Sequence, residues 1–112
     1  MPNEQPRLDG VYRALADPTR RAVLTRLGAG PASVSELARP FAIALPSFTQ
    51  HLAVLERSGL VRSRKAGRVR TYRLVPEPLV AAERWMAEQR AQWERRLDQL
   101  DSYLLEMKEE MK

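Results

Sequence analysis

Side chains of the types that pair with nucleic-acid bases gather in "PSFTQHLAVLERSGLV", residues 46–61. Gln50 can form two hydrogen bonds to adenine, and the hydroxyls of Ser47 and Thr49 can reach bases or phosphates. The segment also holds the single histidine of the chain, His51. Histidine is a common metal ligand and general base, so this one raises the question of a metal site or a catalytic site.

The rest of the sequence supports neither a metal site nor a catalytic site. A lone imidazole without a cysteine or a second histidine cannot build the usual zinc site, and no cysteine is present. No Ser-His-Asp arrangement or glycine-rich phosphate loop occurs. We therefore expect no catalytic residue, no metal and no cofactor, and we expect His51 to hydrogen-bond the backbone or a phosphate. A metal site of carboxylates alone stays open, although no pattern indicates one.

The net charge of +5 is concentrated in one segment. Residues 1–56 carry six basic and five acidic residues, residues 57–76 carry seven basic residues and no acid, and residues 77–112 carry six basic and nine acidic residues. A basic stripe of this kind indicates a polyanionic partner, with nucleic acid as the first choice. The alternative is a compositional bias towards arginine, but a bias would not remove every acid from one segment.

Helix signals place the segment 46–61 in context. Leu8, Val11, Tyr12 and Leu15 lie on one helical face. Asp17 before Pro18 predicts the start of a second helix. The pair Ser33-x-x-Glu36 is a capping box that predicts a third, very short helix, which Pro40 ends.

A fourth helix is predicted from Leu45 to Ser58, ended by Gly59. Its expected buried stripe is Leu45, Phe48, Leu52 and Leu55. A hairpin with Ala66-Gly67 near its midpoint follows. A short helix, a turn, a second helix and a hairpin form a winged helix-turn-helix, in which the second helix enters the major groove of DNA. The expected DNA contacts are, on the helix, Pro46, Ser47, Thr49, Gln50, His51 and Arg57, and, on the wing, Arg62, Arg64, Lys65, Arg68 and Arg70.

Some of these residues have structural alternatives. Ser47 and Thr49 could simply support the start of the helix. Arg62 or Arg73 could pair with acids of the last helix.

The last helix is predicted from Leu79 to Met111, and its second half carries a heptad seam. Because a helix of this length overhangs a small domain, we expect it to pair with its copy in a homodimer. The seam residues are Leu79, Met86, Trp93, Leu97, Leu100, Leu104 and Met107. We expect a disordered lead over residues 1–7, a DNA-binding core over 8–76 and a dimerisation helix over 77–112. The sequence has neither an apolar run of membrane-spanning length nor a secretory signal.

The segments "ALADPTRRAVLTRL", "VSELA", "PSFTQHLAVLERSGLV" and "RKAGRVRTYRL" together resemble the ArsR family of winged helix-turn-helix repressors. The resemblance covers about residues 8–110. It implies a mainly α fold with a small β-hairpin, and a homodimer joined through its first and last helices, which adds Leu8 and Tyr12 to the dimer contacts. It also implies an inverted-repeat operator in double-stranded DNA, often in the protein's own promoter, and an effector that releases the DNA.

The chain departs from the metal-sensing members of that family. Ala38 and Arg39 stand in the region where those members carry cysteines, and the last helix has no histidine. Ala44 stands where a serine commonly caps the recognition helix. We therefore predict a cytoplasmic, nucleoid-associated repressor that needs no metal and is not an enzyme. Two alternatives are a protein-interaction module of the same fold and a repressor that holds an apolar ligand at its dimer seam, near Trp85 and Trp93.

Overall fold

A computed structural model describes residues 5–111 and has the predicted mainly helical fold with a β-hairpin. Its elements in chain order are α1 (Gln5–Leu15), α2 (Pro18–Leu27), β1 (Ala32–Ser33), α3 (Val34–Ala38), α4 (Leu45–Arg57), β2 (Val61–Ala66), β3 (Val69–Leu74) and α5 (Glu77–Glu110). The predicted lead overlaps α1 at residues 5–7, and its remainder, residues 1–4, lies outside the described residues.

Two compact units divide the chain, with the boundary after Ala82. The first unit includes the start of α5 because Pro78 and Ala82 are buried there. The hydroxyl of Tyr12 on α1 donates to the carbonyl oxygen of Ala82 at 3.3 Å, which ties that first part of α5 to the first helix. The second unit, from Glu83 onward, is the remainder of α5.

Helices α2 and α3 begin where local signals predict. The Asp17 carboxylate accepts from the backbone N–H of Arg20 at 3.0 Å and caps α2. Ser33 and Glu36 form both hydrogen bonds of the capping box on α3. These side chains satisfy backbone N–H groups that the first turn of a helix leaves without partners.

The cap of α2 predicts a pH-dependent stability. Burial raises the pKa of Asp17, but the hydrogen bond from the backbone of Arg20 and the nearby charges of His51 and Arg20 outweigh it, so the pKa lies below the ordinary value of 3.8. A carboxylate whose pKa falls on folding stabilises the folded state above its unfolded pKa and loses that contribution as the pH falls through its folded pKa. We expect D17A to lower the free energy of unfolding by about 0.5–2 kcal/mol at neutral pH.

The variant D17N distinguishes the effect of the charge of Asp17 from the effect of its capping oxygen, because asparagine also caps helices well. The gap between wild type and D17N should be present at pH 7 and close towards pH 3, in urea unfolding at one fixed protein concentration. A gap that is equal at both pH values would show that the ionised carboxylate does not stabilise the fold.

Helix α4 packs on the core through Phe48, Leu52 and Leu55, which are fully buried as predicted. Gly59 follows with φ of +81°, a conformation that glycine adopts without strain and that lets the chain leave the helix. The prediction for Leu45 is wrong, because its side chain is 56% exposed. Leu45 shares a helical face with Leu52, but residues 42–47 are all exposed, so the core does not cover the start of α4.

The sheet has three antiparallel strands in the order β1-β3-β2. Strand β1 was not predicted, and it pairs Ala32 with Tyr72 and Ser33 with Thr71. The hairpin of β2 and β3 turns at Gly67, whose φ of +62° suits glycine. Strand β1 leads directly into α3, so the sheet anchors the start of the helix-turn-helix.

The core of the first unit also contains Leu8, which is only 7% exposed. Leu79 packs against that core. Leu8 is therefore part of the core of its own unit, and its expected contact with a partner chain stays a prediction.

Candidate nucleic-acid interface

The predicted reading side of α4 is exposed to solvent. Five of the predicted contact residues of α4 are exposed, namely Pro46, Ser47, Thr49, Gln50 and Arg57. The Thr49 hydroxyl donates to the carbonyl oxygen of Pro46 at 2.9 Å, which leaves its oxygen free to accept from an amino group of a base. Ser47, Gln50 and Arg57 form no side-chain hydrogen bond or ion pair within residues 5–111, so their donors and acceptors are available to a ligand.

His51 is half-buried and faces the second helix. Its Nδ1 lies 3.2 Å from a guanidinium nitrogen of Arg20 and 3.8 Å from a carboxylate oxygen of Asp17. Arginine donates and never accepts, so Nδ1 is the acceptor in the contact with Arg20. Through these two side-chain contacts His51 connects α4 to the start of α2, and its predicted contact with a phosphate stays a prediction.

Arg20 is a positioning residue that sequence reasoning missed. Its guanidinium donates to the carbonyl oxygens of Ala14 and Arg13, each at 2.8 Å, and to His51. Arg21 donates in the same way to the carbonyl oxygen of Leu15 at 2.7 Å. Together the two arginines donate to the backbone carbonyl oxygens at the end of α1, and Arg20 also holds α4 beside it through His51. The pair "RR" after Asp17-Pro18 carries no signal for this role, because the contacts join three different helices.

The hairpin has two faces, and its basic residues are divided between them. Because side chains alternate along a strand, Val61, Ser63 and Lys65 share one face with their β3 partners Leu74, Tyr72 and Arg70. We name this the helix-facing side, since Val61 and Tyr72 are buried and Ser63 contacts α4. The opposite face, named the outer face, carries Arg62, Arg64, Ala66, Val69, Thr71 and Arg73.

A relay of hydrogen bonds connects the helix-facing side to the end of α4. Arg70 donates to the Ser63 hydroxyl at 2.8 Å, and that hydroxyl lies 2.7 Å from a carboxylate oxygen of Glu56. Arg68 follows Gly67 in the turn and is exposed. Of the five predicted wing residues, Lys65, Arg68 and Arg70 therefore lie at the tip or on the side of α4, whereas Arg62 and Arg64 lie on the outer face.

Among residues 5–111, no three His, Asp or Glu side chains come together as a metal site. None of the helices described combines the length and the apolar character that a membrane span needs.

Comparisons with known proteins agree with this geometry. A family model described as "Helix-turn-helix domain" matches residues 15–64. The chain is 48% identical over 73 residues to the HTH-type transcriptional regulator Rv2034 of Mycobacterium tuberculosis, a match that covers 65% of this chain and 68% of that protein. It is 30% identical over 79 residues to the transcriptional repressor SdpR of Bacillus subtilis, covering 70% of this chain and 88% of the repressor.

Solved structures show the same fold. A crystal structure of an ArsR family transcriptional regulator is 56% identical and superposes with a TM-score of 0.79 over 84% of this chain and 97% of that one. An ArsR-like transcriptional regulator from Rhodococcus sp. RHA1 is 36% identical, with a TM-score of 0.73 over 85% of this chain and 90% of its own. The chain belongs to the ArsR family of winged helix-turn-helix proteins and is a DNA-binding transcriptional repressor.

Proposed function

We propose that this repressor binds an inverted-repeat operator as a homodimer, without a metal, and that the operator lies in its own promoter. The observation that carries this proposal is the set of exposed polar and basic side chains on α4 and on the tip and helix-facing side of the wing. Gln50 and its neighbours on α4 are exposed, and Lys65, Arg68 and Arg70 lie at the tip of the hairpin or on its helix-facing side. The protein would act on the chromosome, in the nucleoid of the cytoplasm.

The two parts of this surface have different roles. Gln50, Ser47 and Thr49 lie near the start of α4, where a helix in the major groove meets base edges. The wing arginines and Lys65 suit phosphates or the adjacent minor groove, which fixes the position of the protein without reading sequence. Arg57, at the far end of α4, suits a phosphate. Arg62 and Arg64 are left out of the surface because they point away from α4.

The second unit supports a homodimer. Along α5 the side chains of Trp93, Leu97, Leu100, Leu104 and Met107 are exposed, with Trp93 at 66%. Such a stripe at heptad spacing matches the seam of a two-stranded coiled coil. A symmetric dimer presents two copies of α4, which explains why the operator should be an inverted repeat.

A response to an apolar small molecule is a second candidate function. Within the second unit, a concavity of about 530 Å³ is lined by Trp85, Met86, Trp93 and neighbouring residues of α5. All of its lining residues lie on one helix, so another chain would have to close it to form a small-molecule pocket. Release of operator DNA by an apolar compound that also changes tryptophan fluorescence would support this role, and operator binding insensitive to such compounds would refute it.

A salt titration tests the DNA-binding surface. We expect the logarithm of the operator affinity to fall linearly with the logarithm of the salt concentration, with a slope of about −0.9 for each phosphate neutralised. R68A should weaken binding to all sequences and make the slope shallower by about one. Fluorescence anisotropy with labelled promoter fragments measures both quantities. An affinity for the inverted repeat that is undetectable at low salt would overturn the proposal.

A further inference from the structure

The outer face of the sheet holds arginines that have no acidic partner. Arg62 lies directly opposite Arg73 across β2 and β3, and Arg64 is the next outer-face residue along β2. Among residues 5–111, the ion pairs that involve arginine join Arg26 to Glu36 and Arg90 to Glu94. Like charges directly opposite each other destabilise a sheet, and an anion bound between Arg62 and Arg73 would offset that repulsion.

A concavity lies among these side chains. It measures about 430 Å³ and is lined by Arg62, Arg64 and Arg73, together with Pro31, Ser63, Ala66 and Thr71. A neighbouring concavity of about 340 Å³ shares Arg62 and Arg73 and adds Arg7, with Glu77 as its one carboxylate. Small-molecule sites commonly have volumes of this size. Together the two concavities are lined by four arginines and one acidic residue.

The chemistry of the lining selects the kind of anion. Guanidinium groups donate in a planar fork that matches phosphate oxygens, and the Thr71 hydroxyl adds a donor that needs no charge. Cross-strand side chains begin about 5 Å apart and diagonal ones about 7–8 Å apart, so the arginines can hold two linked phosphates at once. Pro31 and Ala66 offer apolar surface for the rest of a ligand.

We infer that the outer face is a binding site for a compact phosphorylated small molecule, such as one carrying a diphosphate group. A second DNA duplex fits the arrangement less well, because its surface is convex and the arginines surround a concavity. The site is distinct from the DNA-binding surface proposed above, since Lys65 and Arg70 project from the opposite face of the same strands.

The test titrates the full-length protein with inorganic pyrophosphate and follows amide and arginine side-chain NMR signals at constant ionic strength. We expect saturable shifts at Arg62, Arg64, Thr71 and Arg73, with smaller ones at Lys65 and Arg70. Since charge-assisted hydrogen bonds are strong, R62A/R73A should weaken pyrophosphate binding by about tenfold or more. The matched control R95A/R96A removes the same charge from exposed positions of α5 and should change it by less than about twofold.

Three results would overturn the inference: equal losses in R62A/R73A and R95A/R96A, shifts spread equally over both faces of the hairpin, or no saturation. A parallel titration with a non-operator duplex separates the two sources of phosphate. If the duplex shifts the outer-face signals and pyrophosphate does not, the outer face belongs to a DNA contact. If R62A/R73A loses pyrophosphate binding but retains operator affinity, the small-molecule site stands on its own.

Discussion

Replacing Leu100 with glutamate is expected to convert the repressor into a monomer whose affinity for the inverted repeat falls by about a hundredfold or more. Leu100 lies at the centre of the exposed stripe on α5, and in a symmetric dimer whose twofold axis passes through the centre of that stripe it would meet its own copy. Two glutamates would then face each other in an apolar seam, where burying unpaired charges is costly. A monomer loses the second half-site contact, and with it the gain from two linked binding events.

The control S102E places the same charge on the opposite side of the same helix, because two residues advance a helix by about 200°. Analytical ultracentrifugation gives the mass, and anisotropy compares a whole operator with a single half-site. L100E should bind the half-site as the wild type does, which separates a dimer defect from a folding defect. A dimeric L100E that retains full operator affinity would rule out this seam.

Replacing Gln50 with alanine is expected to relax sequence preference while leaving stability nearly unchanged. A bidentate contact to a base contributes about 1–3 kcal/mol of discrimination, which corresponds to about 5–150-fold at one operator position. Gln50 is exposed and has no side-chain hydrogen bond or ion pair within residues 5–111, so its removal should change the free energy of unfolding by less than about 0.5 kcal/mol.

The operator first has to be identified by genome-wide mapping of bound sites. Competition with fragments that vary one base at a time then compares wild type, Q50A and R57A. R57A is the control at the far end of the same helix, and it should weaken every fragment about equally because a phosphate contact carries no sequence information. If Q50A and R57A reduce binding in the same pattern, the division of roles along α4 is wrong.

Most of the helix boundaries could be predicted because their signals are local. Asp17 before Pro18, the capping box of Ser33 and Glu36, and Gly59 after α4 each act within a few residues of the chain. The family resemblance then placed these helices in a fold that the structure and the comparisons confirm.

The features that were missed depend on contacts between distant segments. Strand β1 has two residues, which is too short for any periodic pattern, and it exists because β3 offers free backbone groups. The exposure of Leu45 depends on where the core ends rather than on helical periodicity. The role of Arg20 depends on the carbonyl groups of α1 and on His51, which are brought together by folding.

The candidate DNA-binding site could be predicted only in part, because some of its features follow from local periodicity and others depend on the folded chain. The exposed residues of α4 follow from helical periodicity once the buried stripe is known. Alternation also shows that Arg62 and Arg64 share one face of β2, but it does not tell which face packs on the core. The burial of Val61 and Tyr72 decides that, and it is a property of the folded chain.

Because side chains alternate between the two faces of the hairpin, the number of residues in its strands is more constrained than the identity of those residues. Deleting one residue within β2 before Lys65 would move every later side chain of that strand to the other face. Lys65 would leave the side of α4, and an outer-face residue would replace it. Individual substitutions at exposed wing positions each remove one contact, whereas a single insertion or deletion exchanges two surfaces at once. A scan of insertions and deletions would therefore find a dependence on strand length in this wing that alanine scanning cannot detect.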